Sequence, residues 1–484
     1  MSGPPRPSDA LVLFGATGDL ARKKLYPALY HLVAEGRLDL PIVGVAAAGW
    51  DDAKLRAYAV EAVHGAVASP DPGAVDRLSA ALAMVDGDYR DPATFRRLAD
   101  VVQGLHAHRP LHYLAIPPGL FETVVQGLAA VGLDRQARVV VEKPFGRDLA
   151  SARELNRVLH QVFDERAIFR IDHYLGKEPV ENLMVFRFAN SLLEPVWNRR
   201  YIDRVEVTMA EAFDVDGRGA FYDKVGAIRD VVQNHLLSVV AFLAMDPPAS
   251  SGAEALRDEK IRVLHAMRPA NPHHLVRGQY EGYLDEPGVA PGSTSETFAA
   301  LRIDIESWRW AGVPFSIRAG KALAATSLQA IVQFKAPPRL LFSSTDHQPH
   351  PNLLVFRLGP HDGVTLSLQA KEPGEALRSH PVDLDVDFEE VFGARHEAYE
   401  RLLGDAIEGL AARFARQDGV ERAWEIVEPL LGDPGPVHPY PRGSWGPPEA
   451  DAVLGHRRRW HVPGALDHTH PLEPASAGAG QPVP

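Results

Sequence analysis

LVLFGATGDLA, residues 11–21, sets an apolar run directly against a glycine-containing turn and the start of an amphipathic pattern. Four consecutive apolar residues bounded by turn signals read as a buried strand. Gly15 and Gly18 let backbone amides approach a pyrophosphate, which would then meet the positive end of the following helix. The candidate phosphate cradle is therefore Gly15, Ala16, Thr17, Gly18, Asp19 and Leu20. The spacing is Gly-x-x-Gly-x-x-Ala rather than Gly-x-Gly-x-x-Gly, so by itself the loop is also compatible with an ordinary strand–helix turn. Its place directly after a first strand favours a dinucleotide. Arg22, Lys23 and Lys24 follow, as phosphate contacts or as a solvated face.

Working outward, strand-like runs at 42–46, 111–115 and 138–141 alternate with amphipathic stretches at 20–35, 52–63 and 120–130. That alternation predicts βαβ units on a parallel sheet. From about residue 200, runs at 205–209, 299–305, 315–317, 330–334, 353–357 and 364–368 follow one another without regular helices, which predicts a mostly antiparallel sheet. One long helical pattern, 220–245, interrupts it, and 388–432 is helical again. The expected class is an α/β Rossmann-like N-terminal domain plus a larger α+β domain. The expected division is a disordered lead at 1–9, a dinucleotide domain at 10–177, a substrate-binding and oligomerisation domain at 178–462, and a disordered tail at 463–484. His468 and His470 in that tail are read as flexible chain rather than a metal site, and no metal site is expected elsewhere.

The chain has 484 residues, 45% apolar and 24% charged, with 51 basic against 63 acidic side chains and a net charge of −12. An acidic chain disfavours nucleic acid and anionic membrane, and an anionic substrate would need a local cationic pocket. With no cysteine, disulfides, thiolate catalysis and Cys-based zinc sites are excluded. No apolar run reaches a membrane span and residues 1–10 lack a signal-peptide layout, so a cytoplasmic location is expected.

Further segments carry chemistry. Lys143, after the strand at 138–141, is expected at the carboxyl edge of the sheet, where ligands bind. In RIDHYLGKE (170–178), His173, Tyr174 and Lys177 offer donors to a phosphate and Asp172 is a possible partner for an imidazole. His235 shares a helical stripe with Ile228, Val231, Val239 and Phe242. Burial would keep it neutral, as a general base near pH 7 requires, and a carboxylate must orient it. Asp172 and Asp230 both qualify. Glu211 ends a strand at a possible pocket rim, and Lys321 ends another in Ala-Gly-Lys.

In this order the segments resemble the glucose-6-phosphate dehydrogenase family over about residues 10–450. The resemblance rests on GATGDLARKKLYPALYHL, GDYRDPATF, YLAIPP, VEKPFGRDL, RIDHYLGKE, RDVVQNHLL, WRWAGVPFSIRAGKAL, EAYERLL and GSWGPPEAD. RIDHYLGKE and RDVVQNHLL are the specific pair. The resemblance implies oxidation of β-D-glucose 6-phosphate at C1 to the 6-phosphogluconolactone, with hydride passing to NADP⁺ or NAD⁺, the first step of the oxidative pentose phosphate pathway. It implies a homodimer or homotetramer. It also implies His235 as the base, Asp172 as its partner, and His173, Tyr174 and Lys177 as phosphate ligands. Lys143, Glu211, Asp230 and Lys321 would line the sugar–cofactor junction, and Gly15, Thr17, Gly18, Asp19 and Leu20 the dinucleotide loop. Three positions depart from the family pattern. Ala47 stands where an Arg often meets the NADP 2′-phosphate, Thr326 where a second basic residue follows Gly-Lys, and Gly359 where Gln often precedes a proline near the sugar. The alternative readings are a paralogue acting on a modified hexose 6-phosphate and a non-catalytic sugar-phosphate-binding homologue.

Overall fold

A computed structural model describes residues 6–338, 349–393, 395–432, 434–455 and 458–464. His468 and His470 lie outside these residues, as do 1–5 of the expected lead and 465–484 of the expected tail.

Six strands form the first sheet: β1 (Ala10–Phe14), β2 (Ile42–Ala46), β3 (Leu82–Asp86), β4 (Pro110–Leu114), β5 (Arg138–Val141) and β6 (Ile168–Arg170). Their order is β3-β2-β1-β4-β5-β6 and every pairing is parallel. β1, β2 and β4 are buried along their whole length, which is why they read as continuous apolar runs. The strand order reverses between β1 and β4, so the crevice at their carboxyl ends is the place where such sheets bind ligands.

The second sheet has nine strands: β7 (Ile202–Ala210), β8 (Leu275–Tyr280), β9 (Phe298–Asp304), β10 (Pro314–Gly320), β11 (Ser327–Phe334), β12 (Leu353–Gly359), β13 (Asp362–Lys371), β14 (Ser379–Asp387) and β15 (Val437–Tyr440). Their order is β14-β13-β12-β11-β7-β10-β9-β8-β15. Only the β7–β10 and β8–β15 pairings are parallel, so the sheet is mostly antiparallel.

The structure alters five expectations. Residues 6–9 are ordered: the Ser8 amide donates to Ile407 O at 2.8 Å, and Asp9 accepts the His108 and Arg109 amides. The boundary at 177 is not clean, because Leu402, Leu403, Ala406, Ile407 and Phe414 pack into the core of the first sheet beside Leu11, Leu13 and Tyr113. Helix Ala253–Ala266 lies in the region from about residue 200 expected to lack regular helices. The long pattern at 220–245 is broken into a short helix Gly219–Tyr222, a π-helix Ile228–Leu236 and an α-helix Leu237–Ala244. Likewise, among the described residues, the stretch 388–432 is helical only at Phe388–Phe392, Ala398–Glu408, Gln417–Val427 and Glu428–Leu430. Gly409, with a left-handed backbone, stops the middle helix. Among the described residues no helix is long and apolar enough to cross a membrane.

Candidate active site

Three elements converge beyond β5 and β6. β5 runs into Glu142 and Lys143. β6 runs into successive tight turns over 172–177, closed by Leu175 N to Asp172 O, Gly176 N to His173 O and Lys177 N to Tyr174 O. Arg401 braces those turns by donating to Gly176 O at 2.6 Å. The third element is the π-helix, a form that recurs at functional sites because its wider turn frees backbone carbonyls. Here Asp230 O accepts from Lys143 Nζ at 2.8 Å and from Asn234 Nδ2 at 3.0 Å.

His235 is 2% exposed and Asp172 3%. His235 Nδ1 lies 2.5 Å from Asp172 Oδ1, which also accepts the Tyr174 amide at 3.0 Å. Lys143 Nζ lies 3.0 Å from His235 Nε2. An ammonium can only donate, so Nε2 presents its lone pair and the ring proton sits on Nδ1, donated to Asp172. Burial pushes the imidazole below its ordinary value, Asp172 pulls the other way, and Lys143 adds to the downward push. Burial alone would raise the Asp172 carboxyl. His235, their hydrogen bond, His173 and Lys143 outweigh it and hold the carboxyl well below the usual range. Near neutral pH the pair is therefore an imidazole with a basic nitrogen, backed by a carboxylate.

Of the two carboxylates open to sequence reading, Asp172 holds the imidazole. Asp230 contributes its backbone oxygen, and its carboxylate stands 4.0 Å from Lys143. Next to the dyad lie three half-buried polar side chains. The Tyr174 ring is 3.9 Å from the His235 ring, the His173 ring is 4.8 Å away, and Lys177 Nζ sits 3.8 Å above the Tyr174 ring. Among the described residues no side chain or carbonyl bonds the Lys177 ammonium, the His173 ring nitrogens or the Tyr174 hydroxyl. Burial, with His235 beside it, lowers His173 to about 3, and burial lowers Lys177 as well. These unsatisfied donors suit a polyanionic group, which restores what burial removed.

Glu211 lies close enough to Tyr174 and Lys177 to bear on their ionisation. It pairs with Lys321 at 2.5 Å. Thr326 Oγ1 accepts the Ala212 amide at 3.1 Å, so its hydroxyl holds the backbone beside Glu211. A Cβ on Gly359 would meet nothing within 4 Å, so the side chain absent there leaves open space.

At the dinucleotide crevice Gly15 adopts φ +79°, and a Cβ there would stand 2.2 Å from Ala115 O. Only glycine allows this turn. The hydroxyls of Tyr26 and Tyr58 donate to Ala16 O and Thr17 O. No side chain caps the helix that follows, so its positive end is open to an external phosphate. After β2, Asp86 accepts the Ala48 and Gly49 amides at 2.9 and 2.7 Å. Arg22 is engaged by Glu61 at 2.6 Å and lies over Tyr58, and Lys54 lies over Trp50.

Asp172, His173 and His235 also bring one ligand atom each within 4.8 Å of the others. A metal there would break the Asp172–His235 bond and face the Lys143 ammonium, so Asp172 and His235 are committed to each other.

Sequence reading passed over two half-buried contributors. Glu142 accepts from Tyr113 at 2.5 Å and is hydrogen-bonded by Tyr399, and burial pushes its carboxyl up to about 7 against those bonds. Tyr399 in turn stacks on His173. Glu142 lies in the quoted VEKPFGRDL and Tyr399 in EAYERLL, the segments that pointed there without assigning either residue a role.

Comparison with known proteins bears on this geometry. The family model "Glucose-6-phosphate dehydrogenase, NAD binding domain" matches residues 12–182, and "Glucose-6-phosphate dehydrogenase, C-terminal domain" matches 184–461. The chain is 45% identical over 456 residues to glucose-6-phosphate 1-dehydrogenase 1 of Mycobacterium tuberculosis, covering 94% of this chain and 97% of that protein. It is 41% identical over 470 residues to glucose-6-phosphate 1-dehydrogenase of Rhizobium meliloti, covering 92% and 95%. The crystal structure of the Mycobacterium avium glucose-6-phosphate 1-dehydrogenase superposes with TM-score 0.88 at 45% identity, covering 95% of this chain and 99% of that one. A glucose-6-phosphate dehydrogenase in complex with its substrate glucose 6-phosphate superposes with TM-score 0.88 at 34% identity, covering 96% and 100%. Fold, site order and likeness along both halves agree, and the chain belongs to the glucose-6-phosphate dehydrogenase family.

Proposed function

We propose that this chain oxidises β-D-glucose 6-phosphate at C1 to 6-phosphoglucono-1,5-lactone. The observation that carries the reading is the lone pair of His235 Nε2, fixed by Asp172 behind it and facing a cationic group in front. The C1 hydroxyl proton passes to Nε2 as the C1–H bond gives up its hydride, and Asp172 stabilises the imidazolium that forms. His173, Tyr174 and Lys177 hold the phosphate dianion, whose binding energy positions C1 against the base. Lys143, Glu211, Asp230 and Lys321 border the sugar. The loop Gly15, Ala16, Thr17, Gly18, Asp19 and Leu20, with Lys143, would hold a nicotinamide dinucleotide, which when bound supplies the hydride acceptor. The test is reduction of nicotinamide, followed optically, across a panel of hexose 6-phosphates. Glucose 6-phosphate should be the best substrate. A better rate with a modified hexose phosphate would instead favour the space at Gly359 as a specificity change.

The same reading extends to the dinucleotide. With Ala47 after β2 and Arg22 held by Glu61, neither of these two positions offers a free cation to a 2′-phosphate. A lost charge-assisted contact costs about 1.5–3 kcal/mol, or roughly ten- to a hundredfold. NAD⁺ should therefore support turnover within about a hundredfold of NADP⁺ in kcat/KM, and Ala47→Arg should shift the ratio toward NADP⁺ by about tenfold or more. A stronger wild-type preference for NADP⁺ would mean that another cation reaches the phosphate.

The chain is also proposed to self-associate through β14. Among the described residues that strand pairs only with β13 and exposes Val382, Leu384 and Val386 on one face, Val382 opposite Leu368 of β13. Val391 and Phe392 extend the apolar surface. An edge strand of this kind invites pairing with a second copy. Sedimentation should give a dimer or tetramer, and Leu384→Glu should lower the mass without lowering the unfolding temperature. A monomeric wild type would refute this surface.

A further inference from the structure

Helix Ala253–Ala266 buries charge where its position calls for hydrocarbon. Arg257 is 3% exposed and Lys260 9%. Both line a partly enclosed cavity of about 70 Å³ between this helix, the run 228–244 and helix Gln417–Val427. Among the described residues Lys260 Nζ has no hydrogen bond or ion pair. Its contact is the Phe242 ring at 5.0 Å, and burial lowers its ammonium to about 8. Arg257 donates through Nη1 to Glu254 at 2.9 Å, and Glu165 stands 3.9 Å from Nη2. Its Nε and Nη2 find no hydrogen-bond acceptor. Arg416, on the same wall, is fully engaged by Glu254, Asp258 and Asp418. Most of the remaining wall is apolar, including Phe145, Leu237, Leu264 and Val420. Asp172 also borders this cavity while its Oδ1 holds His235.

Buried cationic donors without acceptors, here Lys260 Nζ and Arg257 Nε and Nη2, are costly, and a bound anion would complete them. The volume admits about five waters at 10–15 Å³ each, or one small organic anion. We propose that this cavity binds a small carboxylate with a short apolar tail, its oxygens meeting Lys260 and Arg257, and that occupancy is coupled to the Asp172–His235 pair on its border. A negative charge brought near the pair favours the imidazolium, so the ligand raises the pH at which His235 gains a proton. By linkage, protonation of His235 tightens the ligand.

Binding itself does not depend on the proposed dehydrogenase activity, so the two can fail separately. The experiment is calorimetry and thermal unfolding of the full chain with butyrate, with butyramide as the neutral isostere and sodium chloride at matched ionic strength. Butyrate should bind and raise the unfolding temperature, and butyramide and chloride should do neither. Lys260→Met should abolish the effect while preserving the fold, since it replaces a buried charge by a side chain of similar length. Ala241→Leu fills the cavity from the opposite wall, leaves both cations in place, and should abolish it too. The acid limb of kcat/KM should move to higher pH with butyrate in the wild type only. Equal effects of butyrate and butyramide, no binding at all, or butyrate binding retained in either variant would overturn the site. An acid limb that stays in place despite binding would overturn the coupling.

Discussion

Replacing His235 with Asn is expected to lower kcat by about a thousandfold to ten-thousandfold, the upper part of the range for a positioned general base. KM for glucose 6-phosphate should stay nearly unchanged, because the proposed phosphate cradle of His173, Tyr174 and Lys177 remains. Asn retains an N–H that can donate to Asp172, so the buried carboxylate keeps a partner and unfolding should shift little. The wild type should show a matching pH signature. Burial places the His235 value below 6.5, and the base must be unprotonated in the free enzyme. kcat/KM should therefore be level at pH 7 and fall as pH drops through a value below 6.5. In the variant that acid limb should vanish with the rate. A variant keeping more than about a tenth of wild-type kcat would assign proton removal elsewhere.

What the sequence made legible divides by range. Residues 11–21 place β1, the turn and the helix correctly because each signal there is local: an apolar run, a glycine whose Cβ would strike Ala115 O, and an amphipathic continuation. β14 is not among the expected strands although Val382, Leu384 and Val386 alternate with aspartates, because Pro381 and an apolar face left in solvent weaken a strand pattern. Helix Ala253–Ala266 was missed for a physical reason that matters more. It buries Arg257, Glu259 and Lys260, so its buried face carries the residues a pattern search assigns to solvent. The π-helix was invisible because nine residues cannot distinguish a wider turn from the ordinary one, even though His235 fell on the expected buried stripe. The choice between Asp172 and Asp230 was a question of tertiary contact. Asp230 is five residues from His235, yet the wide turn hands its carbonyl to Lys143. Asp172, 63 residues away, is delivered by β6. The docking of residues 402–414 on the first sheet, which carries Tyr399 to His173, is equally non-local.

Asp172→Asn should cost nearly as much as loss of the base, about a thousandfold or more in kcat, by a different route. The carboxylate accepts the Nδ1 proton of His235 and leaves the Nε2 lone pair toward the cleft. An asparagine can turn its amide nitrogen to Nδ1 and donate, which moves the ring proton to Nε2. Nε2–H would then face the Lys143 ammonium, donor against donor, and no lone pair would meet the substrate hydroxyl. Even with the amide oxygen in place, the negative charge that stabilises the imidazolium is gone. KM should change little, separating this from damage to the phosphate cradle. The decisive measurement is the pair of variants together. If His235 and Asp172 act as one unit, Asp172→Asn combined with His235→Asn should be no slower than His235→Asn alone. If the losses instead multiply, the two residues work independently, and the carboxylate that serves the base must be sought at Asp230.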